Sequence, residues 1–176
     1  MNKLPTVYLA GGMEHISALG AGWRETITPK LEAIGYSILN PCLFEPQQLK
    51  GLHTNRLPDT IETATGETIV PKHWHELKHA KRTSSAYKRF KNYMQRIIRY
   101  DIRVVEADTD VVICSWTRGT AKGAGTHSEL TTAFMLGVPV YVVLDKGVAM
   151  PGWAQGCATE IFDTFEDLLA ILTLEG

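Results

Sequence analysis

Cysteine is scarce in this chain and its thiols are unpaired: Cys42, Cys114 and Cys157 are odd in number, far apart and without a C-x-x-C spacing. That argues against a disulfide framework and against a thiolate zinc site. Cys114 stands inside an apolar run and reads as a small buried hydrophobe. Long apolar stretches are missing too. None approaches the length needed to span a bilayer, and none follows the early lysine as a signal peptide would. A cytoplasmic protein without membrane contact is therefore expected. Net charge is also nearly absent, at -1, so the chain as a whole has no pull toward nucleic acid or lipid.

What is present is an ordinary globular composition. The 176 residues are 44% hydrophobic and 21% charged, enough for one domain with its own core. The charge is sorted along the chain. Residues 72–103 hold ten Lys or Arg against Glu76 and Asp101, whereas residues 104–176 hold ten acids against three bases.

Hydrophobic periodicity gives the element order. Thr6 to Ala10 is a short apolar strand ending at Gly11-Gly12. Trp23, Ile27, Leu31 and Ile34 repeat at helical spacing, with Pro29 expected to kink or restart that helix. Tyr36 to Leu39 is a second strand. Residues 42–83 hold Pro46, Gly51, Pro58, Gly66 and Pro71 without sustained period, an irregular insertion of the kind that serves as a lid or stays unstructured. Ser84 or Ser85 caps a basic helix over about 84–107. Asp110 to Cys114, Pro139 to Leu144 and Glu160 to Phe162 complete five strands, with helices at Ser128–Leu136 and from Thr164 to Leu172. Gly137 suits a helix stop. Alternating strands and helices predict an α/β fold: a flavodoxin-like, doubly wound, parallel five-stranded sheet of order 2-1-3-4-5, in one domain with the insertion. Its switch point would bring the loop at Gly11-Gly12-Met13 to the loop from Ser115 to Thr126.

The second of those loops carries the chemistry. Gly119, Gly123 and Gly125 permit positive φ and close backbone approach, and the helix beyond offers N–H groups to a phosphate or sugar hydroxyl. A plain flexible turn is the competing reading. Thr126-x-x-Glu129 has the form of a capping box, although Thr126 can cap while Glu129 faces a ligand. Tyr8 is either a core tyrosine or a donor to a carboxylate. Asp101 lies on the polar side of an apolar helical stretch, where a solvated acid is the plain alternative. Met13 and Trp116 suit packing against a flat heterocycle, and Trp116 equally suits a core or dimer contact.

In combination these residues resemble the nucleoside 2-deoxyribosyltransferase-like superfamily, which includes nucleotide N-glycosidases. The matching segments are Val7-Tyr8-Leu9-Ala10-Gly11, Trp23, Asp101 upstream of Asp110-Val-Val-Ile, Gly125-Thr126-x-x-Glu129-Leu130, Ala133 and Gly137-x-Pro139-Val140. The resemblance spans roughly residues 5–41 and 95–172. It implies a flavodoxin-like sandwich, with Glu129 as the catalytic glutamate, Asp101 as the acid serving the leaving base and Tyr8 beside the nucleophile. Asp108 and Asp110 are fallbacks for the acid. It also implies a nucleoside or nucleotide substrate and a homo-oligomer. Transferases of the family complete each site with a C-terminal asparagine from a neighbouring subunit. This chain has no asparagine after Asn92, so hydrolysis competes with deoxyribosyl transfer. The first loop also reads Gly11-Gly12 where some relatives have Gly-Pro. The Gly-x-Gly-Thr-x-x-Glu spacing is similar as well to phosphoribohydrolases that release cytokinin bases, whose fuller Pro-Gly-Gly motif is absent. Their chemistry is again N-glycosidic cleavage.

Cleaving that bond builds positive charge at C1′, which an ionised carboxylate stabilises or captures, while a second, protonated carboxyl helps the base depart. Neither step demands a metal or cofactor. His73, His75 and His79 form no complete zinc set, since no cysteine or paired carboxylate joins them. The basic stretch 72–103, with Tyr87, Phe90 and Tyr93, fits a polynucleotide contact in principle, but its aromatics fall at core-facing positions, which favours a solvated face. A nucleotide-binding or sensor module without catalysis is the alternative of a different class.

Overall fold

The computed structural model describes residues 3–16, 20–43, 61–62, 68–69 and 79–175. In chain order the elements are β1 (Thr6–Gly11), α1 (Ala21–Ala33), β2 (Ser37–Leu39), β3 (Ile61–Glu62), β4 (Thr68–Ile69), α2 (Ser85–Asp108), β5 (Val111–Trp116), a 3-10 turn (Thr120–Lys122), α3 (Ala124–Leu136), β6 (Val140–Leu144), α4 (Gly152–Cys157), β7 (Glu160–Phe162) and α5 (Phe165–Glu175). The chain divides into two compact units, one of Met1–Pro41 with Ile102–Gly176 and one of Cys42–Asp101.

The first unit is built on a five-stranded sheet of order β2-β1-β5-β6-β7. Every neighbouring pair is parallel, with Tyr8 beside Leu39 on one side and Val112 on the other. Counted among the sheet's own strands this is the flavodoxin-like order, reversing direction between β1 and β5. Strands covered on both faces need apolar residues at successive positions, and Val7 through Ala10 and Val112 through Cys114 are all buried. One face carries Val7, Leu9, Ile113, Tyr141, Val143 and Phe162 against Ile27 and Leu31 of α1 and Leu168 and Leu172 of α5. Trp23 stacks on Phe165 with ring centroids 5.6 Å apart, joining those two helices. By strand alternation Tyr8, Ala10, Cys114 and Trp116 belong to the opposite face, where α3 buries Leu130 and Ala133.

Several boundaries differ from the sequence reading. Helix α1 runs unbroken through Pro29. Its buried face is Arg24, Ile27 and Leu31, with Trp23 only half-buried. Helix α3 starts at Ala124, four residues before Ser128, because Gly123 in extended conformation (φ -93°, ψ 130°) turns the chain straight from the 3-10 turn into the helix. No side chain caps it. The capping-box reading of Thr126 and Glu129 therefore fails: Thr126 is the third helical residue and Glu129 the sixth. Gly137 does end the helix in the left-handed region. Thr164 caps α5, accepting from the Asp167 amide at 3.1 Å. The short helix α4 had no periodic signal to reveal it.

In the second unit β3 and β4 form an antiparallel pair, Ile61 beside Ile69. Ser84 caps α2, its Oγ accepting from the Tyr87 amide at 3.1 Å. Lys88, Lys91, Arg96 and Arg99 are exposed, whereas Phe90, Met94 and Ile97 are half-buried. Tyr87 and Phe90 lie against each other, tilted, with ring centroids 6.3 Å apart. His73 and His75 lie outside the described residues, as does most of the expected insertion. Among the described residues no cluster of three or more His, Cys, Asp or Glu is placed to hold a metal ion. No described helix is long and apolar enough to cross a membrane.

Candidate active site

Parallel strands deliver their following loops to one edge of the sheet, and at the reversal between β1 and β5 those loops diverge to opposite faces and leave a recess. Here the two loops are bound together. The Gly12 amide donates to Thr120 Oγ1 at 3.0 Å, and Thr120 Oγ1 donates to the Ser115 carbonyl at 2.8 Å. Thr117 Oγ1 lies 3.1 Å from Thr120 Oγ1. Since the single Thr120 proton is committed to Ser115, Thr117 is the donor of that contact. It also accepts from the Gly119 and Thr120 amides. Thr120 is fully buried, so Thr120→Val leaves a buried amide and a buried carbonyl without partners. Its expected cost is about 1–3 kcal/mol, read by chemical denaturation, with Thr120→Ser retaining most of the stability.

Glycine is required on both sides of this junction by contact. A Cβ on Gly119 would stand 2.3 Å from Ile16 Cγ1 and 3.0 Å from the His15 carbonyl oxygen. Of the two freedoms these glycines permit, positive φ and close approach, the loop uses the second. Gly119 (φ -72°) and Gly123 (φ -93°) have negative φ, and Gly125 is helical. The glycines allow close packing, not a left-handed turn.

Glu129 belongs to α3, the helix that packs on β1. The Tyr8 hydroxyl donates to its Oε1 at 2.8 Å across 121 residues of sequence. Glu129 is buried, 8% exposed. Burial pushes its pKa up from the ordinary value, while the Tyr8 hydrogen bond and the Arg24 charge pull it back. The thiol of Cys114, on β5 beneath the same helix, is pushed up strongly by its own burial and by the nearby Glu129 charge. Cys114 is thus a protonated, inert wall residue. Two of the named groups, Tyr8 and Glu129, are brought into contact. Met13 is half-buried on the loop after β1, and Thr126 is buried in the first turn of α3.

Other expectations are corrected. Trp116 is completely enclosed; its indole N–H donates to the Ala149 carbonyl at 3.2 Å and its ring meets His127 edge-on at 5.0 Å. No face remains for a base, so Trp116 is a core residue. Asp110 is at the wrong end of the sheet. Its Oδ2 accepts from the Thr6 amide at 2.8 Å, which ties the start of β1 to the start of β5. Asp108, two residues earlier, shares that position before β5 and is exposed. Neither can serve a group bound beside Glu129. Asp101 is half-buried on α2, the last residue of the second unit.

Sequence reasoning missed Arg24. It is wholly buried, and its guanidinium donates from Nε to Leu9, from Nη1 to Gly20 and from Nη2 to Gly11, all to backbone carbonyls at 3.0–3.1 Å. The signal was there: Arg24, Ile27 and Leu31 share one helical face, so an arginine stood in an apolar stripe.

Comparison with known proteins adds the fold. No family model matches the chain, and no curated protein matches it. Among solved structures, a 2-deoxyribosyltransferase from the psychrotolerant bacterium Bacillus psychrosaccharolyticus is similar, at 16% identity over 95% of both chains, with a TM-score of 0.49. A conserved protein from Enterococcus faecalis V583 is similar at 12% identity over 99% of this chain and 100% of its own, with a TM-score of 0.54. The likeness to the Enterococcus protein is one of fold.

Proposed function

We propose that this protein cleaves the N-glycosidic bond of a nucleoside or nucleotide, with Glu129 as nucleophile. The observation that carries the reading is the buried Glu129 carboxylate held by the Tyr8 hydroxyl beside two loops latched at the sheet's reversal point. A carboxylate in such a place is costly unless used, since burial disfavours its charge. The order of motifs that resembles the deoxyribosyltransferase-like superfamily supplies the bond.

The hydrogen bond fixes Oε1, so Oε2 is the oxygen that approaches C1′. As the C1′–N bond breaks, its electron pair leaves with the base and Asp101 delivers the proton that neutralises it. Positive charge at C1′ collapses onto Glu129 as an ester. Water, or the ring nitrogen of a second base, then attacks C1′, gives up its proton to the Asp101 carboxylate and frees Glu129. Low exposure makes the anion poorly solvated and therefore reactive, while Tyr8 stabilises it when it departs. Met13, Gly11, Gly12, Gly123, Gly125 and Thr126 surround the substrate. A 2′-deoxyribosyl group is the expected sugar, and a second copy of the chain the expected partner.

The test is chromatography of the protein incubated with deoxynucleosides and their monophosphates, with and without a second free base, beside Glu129→Gln. Free base released by wild type alone supports hydrolysis, and a new nucleoside in the acceptor lanes makes it a transferase. Unchanged substrate in every lane, with ligand-induced thermal stabilisation, leaves a binding module without chemistry. Asp101→Asn should slow cleavage about 10²–10⁴-fold if it supplies the proton.

A further inference from the structure

Strand β2 pairs with β1 only as far as Leu39 beside Tyr8. Successive carbonyls of a strand alternate between its two edges, so beyond Tyr8 the carbonyls of Leu9 and Gly11 face an edge that β2 no longer covers. Buried carbonyls do not stay unpaired. Arg24 meets both, at 3.1 Å each, and its third arm reaches Gly20 at 3.0 Å. Gly11 and Gly20 are the two ends of the loop between β1 and α1, and one guanidinium holds both. The fit is close: a Cβ on Gly20 would stand 2.9 Å from Arg24 Nη1 and 2.6 Å from the Gly12 carbonyl oxygen. Within that loop Gly12 carries the latch to Thr120, and Ile16 packs over Gly119.

From this arrangement we propose that Arg24 is the positioning residue of the site: by holding Leu9, Gly11 and Gly20 together it fixes the end of β1 and residues 12–16 around Glu129. The inference rests on the reading of Glu129 as the working carboxylate. A planar guanidinium serves these three diverging carbonyls from three separate nitrogens in fixed geometry, which a single ammonium head does not reproduce. Its charge acts in the same direction, favouring the Glu129 anion through the strand that separates them. The other titratable groups near Glu129 are Tyr8 on β1, Cys114 on β5 and, on α3 itself, His127. Strand β6 and helix α4, which also pack on α3, contain no Asp, Glu, Lys, Arg or His; their titratable side chains are Tyr141, in the core on the other face of the sheet, and Cys157, whose thiol donates to Thr131.

Two variants separate positioning from plain packing. Arg24→Met removes the charge and every donor at similar length, while Arg24→Lys keeps the charge on a single head. Carbon-13 NMR of labelled glutamate side chains in the substrate-free protein, with Glu129→Gln identifying the resonance, reads the Glu129 titration without turnover. Amide exchange at Gly12 reads the latch. The titration midpoint is expected to rise in Arg24→Met and to move less in Arg24→Lys, with faster Gly12 exchange in both. Turnover, where present, falls roughly 10–100-fold in kcat, and the acid limb of Arg24→Met shifts to higher pH. Folded variants that melt earlier but keep the wild-type titration and Gly12 exchange would overturn the proposal. Should Arg24→Met not fold, unchanged Gly12 exchange in Arg24→Lys overturns it and faster exchange sustains it. If wild type cleaves no nucleoside while titration and exchange move as expected, the proposed function fails and the positioning role stands.

Discussion

Glu129→Gln is expected to abolish glycosidic cleavage while making the protein more resistant to unfolding as pH rises. The first effect follows from removing the only group assigned to bond with C1′, and should reach about 10³-fold or more in kcat. The second follows from burial. Glu129 is held largely out of water, and burial lifts its pKa above the ordinary carboxylate value despite the Tyr8 hydrogen bond and the Arg24 charge. A native group with a raised pKa keeps its proton in a pH window where the unfolded chain has released it. Its contribution to stability is full below the unfolded value and is lost as pH rises through the folded one. Glutamine does not titrate, so the melting difference between variant and wild type should be small near about pH 4 and grow toward neutrality. Scanning calorimetry across that range measures it. A difference independent of pH would show that burial of the carboxylate costs the fold nothing.

Tyr8 and Glu129 illustrate what a sequence can tell. Their residue types, 121 positions apart, were legible as a possible pair because strand order follows from alternating periods, and strand order fixes which loops meet. The same logic placed Gly12 opposite the loop after β5. What stayed hidden depends on contacts that leave no periodic trace. Trp116 looked available because it ends a strand near a glycine-rich loop, yet the Ala149 carbonyl and the His127 ring enclose it. Asp110 looked available because it neighbours that strand, but it precedes the strand and so caps the opposite edge. Thr126 and Glu129 have capping-box spacing by coincidence, since Gly123 starts the helix earlier. Arg24 was passed over for the opposite reason. A charged residue in an apolar stripe carries no local sign of what it pairs with, and here a strand ending three residues too soon leaves carbonyls for it to satisfy.

The glycines of the two loops give the sharpest contrast between packing and approach, and Gly12→Ala should damage fold and site together. Its Cβ would stand 2.7 Å from Ile16 Cδ1, 2.8 Å from the Thr120 amide nitrogen and 3.0 Å from Thr120 Cα. Ile16 can rotate away, but Thr120 contributes backbone, and backbone can yield only if the loops part. Parting them also breaks the Gly12 to Thr120 hydrogen bond. Overpacking of this kind costs typically about 1–3 kcal/mol, and displacing the loop by about an ångström lowers turnover about a hundredfold. Gly125→Ala is the counterpart. Nothing lies within 4 Å of a Cβ there, and the position is helical, so alanine should stabilise the free protein by up to about 1 kcal/mol. If a nucleotide approaches the start of α3 as proposed, that same methyl group stands where the ligand must come. Gly125→Ala should then raise both the melting temperature and KM, whereas Gly12→Ala lowers the melting temperature and kcat together. Denaturation and steady-state kinetics on the two variants distinguish a glycine kept for the fold from one kept for the ligand. An unchanged KM in Gly125→Ala would remove that residue from the substrate's surroundings.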